Sequence, residues 1–140
     1  MKKVFLDTNI LLEVILGRQQ KIACEQILQA GISKEIDLYA AFLSFANMAY
    51  VLKKKMKRDD IYRAERFLNS IINVLPMDRE QLTVALAQEV KDFEDMLQYQ
   101  CANNGGCDCI VTINKTDFME FSTIPIYTPC ELLNIIEKLK

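Results

Sequence analysis

Residues 4–9 place an apolar run directly before a carboxylate, and this feature limits the possible folds most strongly. The first three of these residues form a continuous hydrophobic run, as in a parallel strand that is buried on both faces. The run ends at Asp7, and a helical pattern of apolar residues starts at Ile10. Because open α/β sheets bind ligands beyond the carboxyl ends of their strands, Asp7 is a candidate functional residue. The alternative is that Asp7 only caps the helix, a role that Thr8 and Asn9 also suit.

Other apolar segments alternate between strand-like and helix-like spacing. Four more strands are predicted, at residues 37–42, 72–76, 109–113 and 124–127. The first predicted helical segment ends with Gly31 as its C-cap, and the next helix covers residues 45–56 with Ser44 as its N-cap. A further helix starts at Asp59 with Phe67 facing inward, and another is capped by Asp78 with Leu82 and Leu86 facing inward. The last predicted helix starts at Thr128. Strands alternating with helices predict a three-layer α/β/α fold with a central parallel sheet, formed as one domain over residues 1–140.

Composition places the chain among ordinary globular proteins. Hydrophobic residues make up 51% of its 140 residues and charged residues 26%, which excludes a disordered chain. The net charge of −2 gives no overall attraction to nucleic acid, so any such binding must come from a local basic patch. No apolar stretch reaches the roughly 18–20 residues that cross a bilayer. Residues 1–3 resemble the start of a signal peptide, but Asp7 interrupts the apolar segment that should follow, so we expect a cytoplasmic protein.

Histidine is absent from the chain, and this restricts its chemistry. Catalysis of the Ser-His-Asp or Cys-His kind, as usually built, is excluded. The five cysteines include the close pair Cys107 and Cys109, but no second pair completes a zinc tetrad. The cysteines are therefore predicted to be reduced structural thiols rather than metal ligands. Any catalysis is expected to use carboxylates together with a metal.

Carboxylates occur beside predicted elements in three separate segments. Asp92 and Asp95 are spaced i and i+3, which places them on one face near the start of a helix. Asp117 follows Asn114, the residue at the end of the fourth predicted strand, and so repeats the pattern seen at Asp7. If these acids converge, they form an oxygen-lined site for Mg²⁺ or Mn²⁺, because a cation neutralises their mutual repulsion. Such a site suits hydrolysis of a phosphodiester by a metal-activated water.

Two further features allow either a functional or a merely structural interpretation. Glu13, six residues after Asp7, either leans over the same strand end or is solvated. The run at 53–58 contains five cations, namely Lys53, Lys54, Lys55, Lys57 and Arg58. A charge run of this kind is usually a solvated helix end, which the run alone slightly favours. It is also the one obvious candidate in the sequence for contact with an RNA backbone.

Together these segments resemble the motifs of PIN-domain proteins, chiefly the VapC-type toxins of bacterial toxin–antitoxin systems. The similar segments are Asp7-Thr8-Asn9, Asp95 with Ala102 seven residues later, and Thr112-Ile113-Asn114-Lys115-Thr116-Asp117-Phe118. The resemblance implies a Mg²⁺- or Mn²⁺-dependent endoribonuclease, the toxin of a type II system, with RNA, a cognate antitoxin and a second copy of the chain as partners. It also implies functional residues: the catalytic and metal-binding acids Asp7, Asp95 and Asp117, and the supporting residues Asn9, Thr112 and Asn114.

One position departs from the family pattern. The family usually has a glutamate at the start of the helix after its second strand, where this chain has Asn47. An asparagine carbonyl can bind a cation but brings no charge. Either Glu13 or Asp92 offsets the loss, or the chain is a weakened or inactive PIN-fold module that binds RNA or protein. A phosphate-accepting signalling domain of flavodoxin-like form is disfavoured, because Asp7 has no second acid beside it and no lysine follows the last strand.

Overall fold

Five parallel strands form the centre of the structure, a computed structural model that describes residues 2–140. The strands are β1 (Lys2–Leu6), β2 (Ile36–Ala41), β3 (Asn73–Leu75), β4 (Cys109–Val111) and β5 (Ile126–Tyr127). They lie in the order β3-β2-β1-β4-β5, and every neighbouring pair is parallel. Met1, the first residue of the segment compared above with a signal peptide, lies outside the described residues.

Helices cover both faces of this sheet. Within residues 2–140 they are α1 (Thr8–Leu16), α2 (Lys21–Ile32), α3 (Phe42–Leu52), α4 (Arg58–Ile71), α5 (Arg79–Gln88), α6 (Phe93–Asn104), α7 (Lys115–Met119) and α8 (Pro129–Lys138). Val4 and Leu6 of β1 pack in one core with α1, α2 and α8, whereas Phe5 packs in a second core with α6. Burial on both faces explains the unbroken apolar run of β1. The predicted three-layer α/β/α fold with a central parallel sheet is therefore confirmed.

The helix after β2 begins and ends earlier than predicted. α3 runs from Phe42 to Leu52, and Ala41 occupies its N-cap position in extended backbone. Ser44 is therefore inside the helix and does not cap it. Its hydroxyl is fully buried and accepts a hydrogen bond from Thr8 Oγ1 at 2.7 Å. The boundary was wrong because Phe42 looks like a strand residue, yet it is 68% exposed.

Gly31 does not end α2, contrary to the prediction. The helix continues to Ile32, and Gly31 lies inside it against β2. A Cβ atom at this position would collide with the side chain of Leu38. Gly31 therefore allows the helix to approach the sheet closely, a role that its C-terminal position in the helix concealed.

Three apolar side chains predicted to face inward are exposed instead. Phe67 is 50% exposed, Leu82 is 42% exposed and Leu86 is 58% exposed. α4 buries the narrow stripe of Ile61 and Leu68, and Phe67 falls beside this stripe. Despite this exposure, none of the helices within residues 2–140 is long and apolar enough to cross a membrane.

The cysteines are free thiols, and four of the five are buried. Burial raises the pKa of both Cys101 and Cys109 to about 12. A buried thiol with such a pKa stays protonated near neutral pH and is unreactive. This agrees with the prediction of structural thiols, with Cys130 as the exposed exception.

Candidate functional site

The candidate site lies at the carboxyl ends of β1 and β4. Asp7 directly follows β1, and its backbone N–H donates to the carbonyl of Val111, the last residue of β4, at 3.0 Å. The sheet order changes direction at β1, because β2 and β3 extend to one side and β4 and β5 to the other. In an open parallel sheet this reversal leaves a crevice at the strand ends. Asp7 is at the base of that crevice.

Two donors hold the Asp7 carboxylate from opposite sides. Thr112 Oγ1 donates to Oδ2 at 2.8 Å, and Gln98 Nε2 donates to Oδ1 at 2.9 Å. Asp7 is 2% exposed, and burial raises its pKa, although the bonds from Thr112 and Gln98 act in the opposite direction. Its side chain makes no capping hydrogen bond to α1. Its contacts are therefore those of a positioned carboxylate.

Three other carboxylates meet beside Asp7. Asp92 is the N-cap of α6, and its Oδ1 accepts a hydrogen bond from the backbone N–H of Asp95 at 3.0 Å. Asp117 comes from the first turn of α7. One oxygen from each of Asp92, Asp95 and Asp117 lies within 4.8 Å of the other two. Acids from two separate helices thus converge as the sequence predicted, and Asp7 borders the same pocket.

The carboxylates of this cluster repel one another when they are all ionised. Asp95 is only 9% exposed, and its pKa is raised to about 8 by burial first and then by the charges of Asp7, Asp92 and Asp117. Within residues 2–140 no lysine or arginine forms a salt bridge with any of these four acids. Close carboxylate oxygens without a cationic partner form the hard donor set that suits Mg²⁺ or Mn²⁺. The residues present therefore fit a divalent metal.

The acids line a pocket of about 240 Å³ together with amides and two apolar side chains. The amides are Asn9, Asn47 and Asn114, and the apolar residues are Leu12 of α1 and Val51 of α3. Asn114 is also the N-cap of α7, and its backbone N–H donates to Thr112 Oγ1 at 3.1 Å. Thr112 thus links the β4 end to both Asp7 and α7. Asn9, Asn47 and Asn114, the three asparagines singled out as candidate site residues from the sequence, therefore all lie at this pocket.

Glu13 lies away from the pocket. Its carboxylate accepts a hydrogen bond from the backbone N–H of Gln20 at 2.8 Å, and its side chain joins α1 to the start of α2. It is 7% exposed and does not line the acidic pocket. Neither interpretation from the sequence describes it, because it is neither solvated nor over the strand end. Glu13 therefore cannot replace a carboxylate at Asn47.

The basic run follows α3 as an exposed turn that leads into α4. The ammonium groups of Lys53 and Lys54 lie over the ring of Tyr50, at 5.3 and 5.7 Å from its centroid. Tyr50 itself is 63% exposed. None of the five cations lines the acidic pocket, although the run begins two residues after Val51, which does.

Sequence reasoning missed two residues of the site. Gln98 is 1% exposed and bonds Asp7 through Nε2, while its Oε1 accepts from the backbone N–H of Thr8 at 3.2 Å. The sequence indicated only that Asp95 and Gln98, spaced i and i+3, share one helix face, and it did not indicate that Gln98 is buried. Glu94 also lines the pocket, and only its place within the acidic run 92–95 indicated this.

A larger, apolar groove lies between α3 and α4, beside the edge strand β3. Its volume is about 650 Å³, and its lining includes Phe42, Phe45 and Tyr62. Glu65 also lines it, and within residues 2–140 no hydrogen-bond partner reaches the buried Oε2 atom of this residue. The groove holds no acidic cluster, so its size marks a candidate contact surface rather than the candidate reaction site.

Comparison with known proteins gives concordant matches. Residues 3–116 match the PIN domain family. The chain is 25% identical over 121 residues to ribonuclease VapC1 of Aquifex aeolicus (strain VF5), covering 82% of this chain and 83% of that protein. Its fold is similar to a chain in the DNA-bound VapBC structure from Salmonella typhimurium, with a TM-score of 0.70, 20% identity, and coverage of 93% of this chain and 100% of that chain. It is also similar to a chain in a toxin–antitoxin complex from Klebsiella pneumoniae, with a TM-score of 0.65, 24% identity, and coverage of 90% and 97%.

Proposed function

The chain belongs to the PIN-domain family, as its motifs predicted, and we propose that it is a metal-dependent endoribonuclease, the toxin component of a type II toxin–antitoxin system. The observation that carries this proposal is the convergence of Asp92, Asp95 and Asp117 beside Asp7 without a cationic side chain in the described residues to neutralise them. The similarity to ribonuclease VapC1 supports the choice of RNA as substrate.

In this proposal Asp7, Asp95 and Asp117 hold Mg²⁺ or Mn²⁺, with Asp92 beside them. The bound ion would activate a water and stabilise the leaving oxygen of a phosphodiester. Thr112 and Gln98 fix the Asp7 carboxylate through the two hydrogen bonds described above. Rigid placement of this kind supports catalysis, because the reacting groups need no reorganisation when substrate binds.

The amides serve the substrate side of the same pocket in this proposal. Asn9 and Asn114 offer uncharged donors and acceptors to a phosphate or ribose without adding to the negative charge. Leu12 and Val51 supply the apolar part of the pocket lining.

The RNA backbone is proposed to follow the five cations of the run 53–58. Their exposed ammonium and guanidinium groups can neutralise phosphates, which the acidic pocket repels. Tyr50 adds an exposed ring against Lys53 and Lys54, and such a ring can stack on a base of single-stranded RNA. The basic run would thus hold the strand while the acids act on one phosphodiester.

The proposal places the protein in the cytoplasm and includes two protein partners, a cognate antitoxin and a second copy of the chain. The similarity to chains of VapBC and toxin–antitoxin complexes supports the antitoxin. The apolar groove supports a protein contact, because its exposed aromatic side chains and the unpartnered Glu65 Oε2 suit a partner with apolar groups and one donor. Co-purification with the product of an adjacent reading frame tests the antitoxin, and light scattering tests the dimer.

RNA cleavage in the presence of Mn²⁺ tests the reaction. Wild-type protein should cleave, whereas EDTA and the variants Asp7→Asn and Asp95→Asn should abolish cleavage. Asp37→Asn is the matched control, because Asp37 lies at the opposite, amino-terminal end of the parallel strands. Cleavage that persists in both site variants would refute the proposal.

A second candidate function is a catalytically inactive PIN-fold module that binds RNA or protein. Asn47 favours it, since the α3 side of the pocket carries a neutral amide. Thermal unfolding with added Mn²⁺ separates the two, because an ion that binds only the folded chain raises the unfolding temperature. No shift at millimolar Mn²⁺ would favour the inactive module.

A further inference from the structure

One apolar surface crosses α3, α4 and α5 beside the edge strand β3. Phe42 lines both the apolar groove of about 650 Å³ and a second groove of about 430 Å³ between α3 and α5. Tyr62 of α4 lines the first groove, and Leu82 of α5 lines the second. Because Phe42 is largely exposed, it forms a ridge between two hollows. This surface, the α3–α5 face, consists of Phe42, Tyr62, Glu65, Arg66, Leu82 and Leu86.

The exposed apolar area of the α3–α5 face is close to what a stable dimer needs. Its four large apolar side chains are each at least 42% exposed, namely Phe42, Tyr62, Leu82 and, one turn later on α5, Leu86. Side chains of this size have about 150–250 Å² of surface, so each leaves about 100 Å² open to water. Their total of about 400 Å² compares with about 500 Å² of apolar area on each side of a standard homodimer interface. The face is therefore large enough for a specific contact between two chains.

The polar groups of the α3–α5 face are incomplete within one chain. The buried Oε2 atom of Glu65 has no hydrogen-bond partner within residues 2–140. Arg66 lines the same groove, and its guanidinium lies 5.7 Å from the centroid of the Tyr62 ring. In the described part of the chain, Arg66 forms no salt bridge with any acid. A buried carboxylate oxygen without a donor is unfavourable, so this groove needs a donor from outside the chain.

A second copy of the chain offers what each copy lacks. In a dimer with twofold symmetry the same surface meets itself, so it must contain both members of every contact. The α3–α5 face meets this condition, because the Phe42 ridge lies beside two hollows and Glu65 lies beside Arg66. An added β-strand fits less well, since β3 has only three residues and is followed by Pro76, which has no backbone N–H.

We propose that the α3–α5 face is the interface between two copies of the chain, in which Arg66 of each copy donates to Glu65 of the other. The inference rests on the second-copy part of the proposed function and names the surface that forms it. α3 also carries Asn47 and Val51, which line the acidic pocket. The interface therefore packs on a helix that also lines the candidate site.

A charge-exchange experiment, read by sedimentation equilibrium, tests the reciprocal contact. Glu65→Arg places cations opposite each other in its own dimer, and Arg66→Glu places acids opposite each other. Each variant alone should therefore be largely monomeric, with the Kd of the dimer raised about thirtyfold or more. An equimolar mixture of the two variants should dimerise, because each supplies the charge that the other lacks. A face built for a different protein would show no such rescue.

Phe42→Ala tests the apolar part of the interface. It should raise the Kd of the dimer by about thirtyfold or more, since a large aromatic side chain at the centre of an interface is often a hot spot. Ile22→Ala is the matched control, because Ile22 is exposed on α2 and lines neither groove. Its Kd should stay within about twofold of wild type. Phe42 is exposed in the single chain, so its truncation should not impair folding, and circular dichroism checks this for every variant.

The outcomes separate this inference from the proposed reaction. If wild-type protein is monomeric at its highest soluble concentration, or if Phe42→Ala and Glu65→Arg dimerise like Ile22→Ala, the inference is overturned. If the two charge variants are monomeric and their mixture stays monomeric, the reciprocal pairing of Glu65 with Arg66 is overturned. RNA cleavage with Mn²⁺ is measured separately. Dimerisation through this face without cleavage would leave the interface standing and contradict the proposed reaction, and cleavage by a monomer would do the reverse.

Discussion

Asp95→Asn should make the metal-free protein more stable at neutral pH. The pKa of Asp95 rises from 3.8 to about 8 in the folded chain. The folded state therefore binds more protons than the unfolded state between about pH 4 and pH 8, and the free energy of unfolding falls as the pH rises through this window. Asparagine cannot ionise, so the variant avoids this loss.

The magnitude follows from the size of the shift. One pKa unit corresponds to about 1.4 kcal/mol, so the rise to about 8 costs about 4 kcal/mol of unfolding free energy at pH 7. Asp92 and Asp117 are exposed, and water screens their share of the repulsion. We therefore expect a gain of about 2 kcal/mol for the variant, or about 6 °C in unfolding temperature for a chain of this size.

Urea unfolding in EDTA, followed by circular dichroism from pH 4 to pH 8, measures this effect. The variant should exceed wild type most at pH 8, and the difference should largely vanish at pH 4. Saturating Mn²⁺ should reverse the order, because the ion stabilises only a chain that binds it. Asp37→Asn is again the control and should show no such pH-dependent gain. A metal-free Asp95→Asn variant that is less stable than wild type at every pH would refute the reasoning.

Three further predictions concern the support of the site and the RNA surface. Thr112→Val removes the hydroxyl that bonds Asp7 and one backbone N–H, and it should lower the free energy of unfolding in urea by about 1–3 kcal/mol. Thr112→Ser keeps the hydroxyl and should stay within about 1 kcal/mol of wild type. Equal losses in the two variants would contradict the role of the hydroxyl. Gln98→Leu frees one side of the Asp7 carboxylate and should weaken Mn²⁺ binding by about tenfold in calorimetry; unchanged affinity would show that the bond is dispensable. Lys53→Gln combined with Lys54→Gln should make the negative slope of log affinity for single-stranded RNA against log salt shallower by about 1.4. An unchanged slope would place the RNA elsewhere.

Local sequence pattern was sufficient to predict the frame of the fold and where most site residues lie. Asp7 and Asp117 follow apolar runs, and parallel strands carry the residues after their carboxyl ends to one edge of the sheet. Asp92 and Asp95 could be placed on one helix face from spacing alone. That residues 1–140 form one domain stays a prediction.

The remaining site features depend on contacts between distant segments, which local spacing does not encode. Gln98 lies on the same helix face as Asp95, yet a glutamine in a helix is ordinarily solvent-exposed, so its burial against Asp7 gave no distinct signal. Glu94 has the same difficulty, because an acid in the first turn of a helix already has a sufficient local explanation.

Exposed apolar residues mark a different limit. Phe42 and Leu86 fit the periodicity of buried side chains but are 68% and 58% exposed. Periodicity indicates which side chains gain from leaving water, but it does not say whether the chain itself or another protein covers them. For this reason the predicted start of α3 and the predicted inward face of α5 were wrong, whereas the predicted strands lie within a few residues of the observed ones.

The bond between Thr112 and Asp7 spans 105 positions of the chain and so has a consequence for synthesis. While the ribosome is still translating the segment before β4, Asp7 has neither this donor nor a neighbouring strand on that side, and Asp117 does not yet exist. The chain can therefore assemble its full set of acids only after most of its length has emerged. For the proposed RNA-cleaving toxin, this order of assembly keeps each nascent chain inert beside the messenger that encodes it until its synthesis is nearly complete.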